Sequence, residues 1–324
     1  RQASGTRVSL GTSLAEMTDA LPCGRPPAMR RLAFSVAALF VTTLAGCAGG
    51  GSSPSGAIAH PAGDALILRI ATEGGFIPPG VTFSQIPSLS VYGDGRVIEP
   101  GAVAAIFPGP ALPPLLVRRL SEAGIQAVLR EVTATGLFAA SQRFEGAGAF
   151  VADAGTTVFT LHAGGRDVTV SVYALGTFDP SHPPAGIGGG ELAAHRALGQ
   201  LSLRLTMLNT WLPSGAWVDD ESRAFAPDAF RLLVRSADAD PPDQSGIANQ
   251  LIPWPGAGDP AMFGEPVTEP AGSRCGVVSG AESAAWFDAL RRANQLTRFT
   301  ADGHRYEVTP RPLLPDEPRT CPTA

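Results

Sequence analysis

Three glycine-containing turns, each set between short apolar runs, constrain the fold of this chain more than any other feature. Asp94-Gly95 separates 88–92 from 96–98, Gly164-Gly165 separates 157–161 from 167–173, and Asp302-Gly303 separates 296–300 from 305–309. Such dipeptides supply the positive φ angles of a tight hairpin, and the flanks are rich in Val, Thr, Phe and Tyr. Further strands are expected at 66–71, 230–235 and 276–278.

Between the strands lie stretches of helical period. At 121–134, Ile125, Val128, Leu129 and Val132 fall on one face, and Gly136 ends the run. At 191–209, Leu198, Leu201, Leu205 and Leu208 are spaced 3-4-3. Ser279 and Glu282 have capping-box spacing and are expected to open a third helix carrying Trp286 and Leu290. Strands in hairpins alternating with single helices give an α+β fold, antiparallel hairpins packed on one layer of helices. The domain reading is a first module over 63–210 and a second over 211–324. Residues 163–170 align with 301–308, each after an amphipathic helix, so the two are also read as related strand–helix–hairpin modules.

The 324 residues include 38 glycines and 30 prolines, spread along the length, which fits many turns. All 24 basic residues are arginine. Without lysine there is no Walker-type phosphate loop, no Ser-x-x-Lys acyl-transfer site and no Schiff-base amine. Beyond residue 46 the chain carries 19 arginines against 27 acids, a net −8, and no basic run. Nucleic acid and anionic lipid head groups are therefore poor partners.

Residues 29–47 begin Met29-Arg30-Arg31, continue through a thirteen-residue apolar stretch at 32–44, and close on Leu44-Ala45-Gly46-Cys47. The apolar stretch is too short to span a hydrocarbon core of about 30 Å. This order of elements resembles the signal peptides of bacterial lipoproteins, and the last four residues resemble their lipobox. The resemblance implies cleavage before Cys47, lipid on its thiol, and an extracytoplasmic chain anchored in a cell membrane or envelope. On that reading 1–28 is an over-called extension, 29–46 the signal peptide and 47–62 a lipidated Gly/Ser-rich tether. Of the 4 cysteines, Cys275 and Cys321 remain as a pair in an exported chain, and a disulfide is the expectation. Residues 66–173 also resemble a domain of unknown function in exported bacterial proteins, through the 91–97 segment, the helix ending Gly136-Leu137-Phe138, Asp153 and the 158–172 hairpin. That family brings no activity with it.

Chemistry is sparse in the sequence. The histidines His60, His162, His182, His195 and His304 show no metal-ligand spacing among themselves, and there is no nucleophile elbow. No metal or cofactor is expected. Asp219-Asp220-Glu221 reads as a solvated turn. The 238–243 run has the flavour of a calcium loop, broken by its prolines. The long passage 238–273 is the best place for function, since loops of that length commonly bind. Within it Trp254 and Phe263 are the candidate binding residues, to contact a partner or glycan ring or to pack the loop onto its domain. The functional expectation is an envelope lipoprotein with a non-catalytic role, binding a protein or glycan or acting structurally. The alternatives are a hydrolase with paired carboxylates and a small-ligand carrier.

Overall fold

The computed structural model describes residues 56–241 and 245–322; Cys47, the signal peptide and most of the tether lie outside them. In chain order the first half comprises β1 (Leu66–Glu73), α1 (Pro79–Ser84), β2 (Leu89–Tyr92), β3 (Arg96–Pro100), β4 (Leu115–Arg119), α2 (Glu122–Ala134), β5 (Gln142–Phe144), β6 (Thr156–Ala163), β7 (Arg166–Tyr173), α3 (Gly189–Thr206) and β8 (Arg223–Ala224). These strands form one sheet in the order β5-β7-β6-β1-β2-β3-β4-β8, antiparallel except for β5 beside β7. The second half comprises β9 (Ala229–Ser236), β10 (Leu251–Pro253), β11 (Glu265–Pro266), β12 (Ser273–Ser279), α4 (Ala281–Leu290), β13 (Arg298–Ala301) and β14 (His304–Pro312). Its sheet runs β10-β13-β14-β9-β12-β11, antiparallel except for β10 beside β13. The fold class is α+β.

Local chemistry explains the elements. Gly95 has φ +84°, and a Cβ there would lie 2.2 Å from the carbonyl oxygen of Leu120, so the β2–β3 turn needs glycine. Ser121 caps α2 by accepting from the Gly124 amide, and Gly136 takes the left-handed conformation just after it. In β6 and β7 the alternate residues Phe159, Leu161, Val168, Val170 and Val172 are buried. They pack with Val128, Leu129 and Val132 of α2 and with Leu198, Leu201 and Leu205 of α3, which makes the first core. β2 is buried at all four positions because its sheet is covered twice. Its other face packs Tyr92, Ile98, Leu115 and Val117 against Leu314 from beyond β14. In the second sheet Phe230, Leu232 and Val234 point to Trp286 and Leu290 of α4.

Several sequence expectations are corrected. Residues 115–120, unassigned between a Pro/Gly-rich passage and a helix, hold β4, which pairs with β3 through five positions. The Ser279–Glu282 capping box does not form: Gly280 precedes α4 without a side-chain cap, and Ser283 bonds the Gly280 carbonyl instead. The segment read as tether is packed from Ile58 on. Ile58 exchanges two 2.8 Å hydrogen bonds with the Gln126 amide, and His60 is bonded to the Pro61 carbonyl. The two closing hairpins are not equivalent either. β6, the first strand of its hairpin, lies beside β1, whereas β14, the second strand of its hairpin, lies beside β9. The shared Gly turn reflects hairpin chemistry, and the strand orders differ.

The last residues strap the sheets together. Asp316 accepts from Arg69 Nη2 at 2.7 Å and from the Tyr92 hydroxyl at 2.9 Å, both on the first sheet. Glu317 accepts twice from Arg311 of β14, at 2.6 Å each. Burial works to raise the Glu317 pKa, but Arg311 overcomes it and holds the carboxyl below its ordinary range. Cys321 is joined to Cys275 of β12 by the expected disulfide, with Cα atoms 6.0 Å apart. On the opposite side the 101–114 passage docks on the end of α4, where Ala111 and Gln295 donate to the carbonyls of Ala293 and Gly109.

Candidate binding cleft beneath the long loop

The passage 238–273 is less irregular than its composition implies. It contributes β10 and β11 to opposite edges of the second sheet, and a 3-10 turn at Pro260–Met262 capped by Asp259. The two aromatic candidates hold it down. Trp254 packs edge-on to Trp286 at 4.7 Å between ring centroids and to Phe263 at 5.7 Å. Phe263 lies over Gly276, where a Cβ would come within 2.6 Å of its ring. Gly264 has φ +58°, and a Cβ there would meet the Cys275 carbonyl oxygen at 2.0 Å. Trp254 and Phe263 are thus half-buried members of the second core, and they present no open aromatic platform.

What the anchored loop creates is a polar cleft beside these rings, about 590 Å³ in volume. Ser236 of β9 and Tyr306 of β14 face each other across a paired position, and Val234 lies two residues back along β9. Asp238, the β13–β14 turn with Asp302 and His304, and the residues Asp259 and Arg274 also line it, with Arg235 at its edge already paired to Asp240 and Glu307. His304 Nδ1 lies 2.7 Å from Asp238 Oδ2, and the Arg305 amide donates to Asp238 Oδ1 at 2.8 Å. The His304 bond and then the backbone bond hold the Asp238 carboxyl below its ordinary range. The same partner raises His304. Burial, followed by the charges of Asp259, Asp238 and Asp302, raises Tyr306, so its hydroxyl stays protonated and can donate. Arg274 is committed to the loop, donating to the carbonyls of Phe263 and Gly264 at 2.9 and 2.6 Å.

The sign of the His304 effect is fixed by this geometry. A histidine whose folded pKa is raised stabilises the fold fully below its unfolded value, and that contribution fades as pH rises through the folded value. Asp238, lowered, contributes above its unfolded value and loses this as pH falls. The pair is therefore strongest between the two. An NMR titration should place the His304 midpoint above the ordinary 6.5, and Asp238→Asn should bring it back down. An unchanged midpoint in that variant would mean the hydrogen bond does not form in solution.

The other acidic groups have structural partners. Asp240 sits between Arg235 and Arg298. Asp238 and Asp240 are therefore engaged already, which argues against the calcium flavour of their run; Asp243 lies outside the described residues. Asp219 accepts from the Arg119 amide at 3.0 Å, as a turn residue does. Among the described residues no group of three or more His, Cys, Asp and Glu side chains is placed to hold a metal ion, and no helix is long and apolar enough to cross a membrane.

No family model, curated protein or solved structure matches this chain. Function must be argued from the cleft itself. Of the two roles the sequence left open for Trp254 and Phe263, the structure shows them packing the loop onto its own domain, and the polar side chains beside them were not singled out. Asp238 and His304 are 66 residues apart and meet only because β9 and β14 pair in register. Local spacing carries no trace of that meeting.

Proposed function

We propose that this chain is an exported lipoprotein, anchored through lipid on Cys47, that binds a polyhydroxylated ligand of the cell envelope without transforming it. The carrying observation is the lining of the cleft. Three carboxylates, an imidazole and a protonated phenol converge on a space within the size range of small-ligand sites. Carboxylates accept from sugar hydroxyls, and the Tyr306 hydroxyl both donates and accepts. The loop that roofs the cleft is pinned by Trp254 and Phe263, so the site is largely pre-formed and little ordering entropy opposes binding. The anchor would keep such a module beside the glycan it recognises.

The convergence of Asp238, Asp259 and Asp302 also favours a second reading, hydrolysis by paired carboxylates. One experiment separates the two. Soluble envelope oligosaccharides are titrated into the protein by calorimetry, and reducing ends are then assayed over hours. Binding without new reducing ends is expected, weakened about five- to tenfold in Tyr306→Phe and Asp259→Asn, the usual worth of one hydrogen bond. New reducing ends that vanish in Asp259→Asn would install the hydrolase. Absence of binding to every oligosaccharide tested would discard both readings.

A further inference from the structure

The face of the second sheet turned away from α4 carries a different chemistry. Along β9 the residues between the core positions, Arg231, Leu233 and Arg235, emerge on that face. α1 packs across it against β14, and the C-terminal strap closes over it. Two cavities adjoin there and share Phe83 and Pro322 as walls. One, about 440 Å³, is lined mainly by Phe83, Leu233, Val267 and the disulfide-bonded Cys275. The other, about 380 Å³, receives Arg69, Arg231 and Arg311.

These three guanidinium groups are not equivalent. Arg69 is paired with Asp316 and Arg311 with Glu317. Arg231 makes no ion pair with any described residue. Among the described residues it donates only to two backbone carbonyls, Thr320 at 2.8 Å and Pro318 at 3.3 Å. Burial, and then the like charge of Arg311, hold its pKa below the ordinary guanidinium value, so a nearby anion would relieve a standing electrostatic cost. The acids in reach of a ligand are Glu317, already bonded, and Glu73 and Glu269 at the exposed rims. An apolar chamber opening beside a partly desolvated, unpaired arginine matches one class of molecule.

We propose that these adjoining cavities bind a single-chain anionic amphiphile, its alkyl chain against Phe83, Leu233 and Val267 and its head group on Arg231. This site is separate from the polar cleft and does not depend on the function proposed for it. The test uses the full exported chain carrying Cys47→Ser, so that acyl groups of its own do not compete, titrated below the micellar range with octanoate, decanoate, decyl phosphate and decanol. Each buried methylene is worth about fourfold in affinity, so decanoate should bind about fifteenfold tighter than octanoate. Decanol should bind at least tenfold more weakly than decanoate. The tighter of decanoate and decyl phosphate names the head group. Arg231→Gln should lose the same tenfold for decanoate and leave decanol unchanged. Because Arg231 also holds the strap, Val267→Asp is the independent control and should abolish decanoate binding with the far-UV spectrum intact. Equal affinities for octanoate and decanoate, full binding by either variant, or no binding of any probe would overturn the proposal.

Discussion

Cells making the Cys47→Ser chain are expected to incorporate no lipid label into it and to release it from the membrane fraction entirely. The expectation is all-or-none because of how acyl anchoring scales. Each buried methylene contributes about 0.8 kcal/mol, so one chain holds marginally while two or more hold stably. Abolishing the thiol removes every chain at once. The membrane fraction, assayed by radiolabelled palmitate and immunoblot, checks the result; a variant that stays membrane-bound would place the anchor elsewhere. The packed chain begins at Ile58, and eleven residues cannot exceed about 40 Å whatever path they take. Lipid on Cys47, as proposed, would hold the first sheet within that reach of the membrane and shield it, and not only the tether, from soluble proteases.

The second large effect concerns stability. Cys275→Ser combined with Cys321→Ser is expected to cost about 2–5 kcal/mol, measured as a lowered urea midpoint. The bridge closes a sequence separation of 46 residues, and the unfolded chain gains the corresponding freedom. A local effect should accompany it. Arg319 pairs with Asp228 at 2.6 Å and is half-exposed; with the bridge gone, trypsin should cut there well before the rest of the chain unfolds. An unchanged midpoint together with unchanged cleavage would show that the strap is held by Asp316 and Glu317 alone.

How much of this was legible in the sequence depends on whether the determining contacts are local. Asp94-Gly95, Gly164-Gly165 and Asp302-Gly303 dictate their turns by backbone sterics within a few residues, and all three hairpins are present. Leu198, Leu201 and Leu205 of α3 and Leu208 in the turn just after it announce a buried stripe by spacing alone, and all four are buried. The short edge strands β5, β8, β10 and β11 are different. They span two or three residues and exist because a neighbouring strand offers free backbone groups. β4 was hidden because Leu115–Arg119 reads Leu-Leu-Val-Arg-Arg, with no apolar/polar alternation in sequence although its burial alternates. The candidate cleft is the extreme case. Trp254 and Phe263 stand out as aromatic residues in a long loop, yet aromaticity serves equally to pin a loop as to grip a ligand. The side chains that line the cleft look like ordinary turn residues until the register of β9 and β14 brings them together.

The strap carries a consequence for timing. Asp316 completes the outer face of the first sheet from 247 residues beyond Arg69 and 224 beyond Tyr92. A chain that is still emerging, from a ribosome or through a channel, has made every strand of that sheet but lacks the group that neutralises Arg69 and covers Tyr92. Contacts of such long sequence separation form late, after the loop-closure entropy has been met. The first half therefore stays unfinished, and easier to keep unfolded, until Asp316 arrives; a chain cut before Asp316 should have both halves made and neither one sealed.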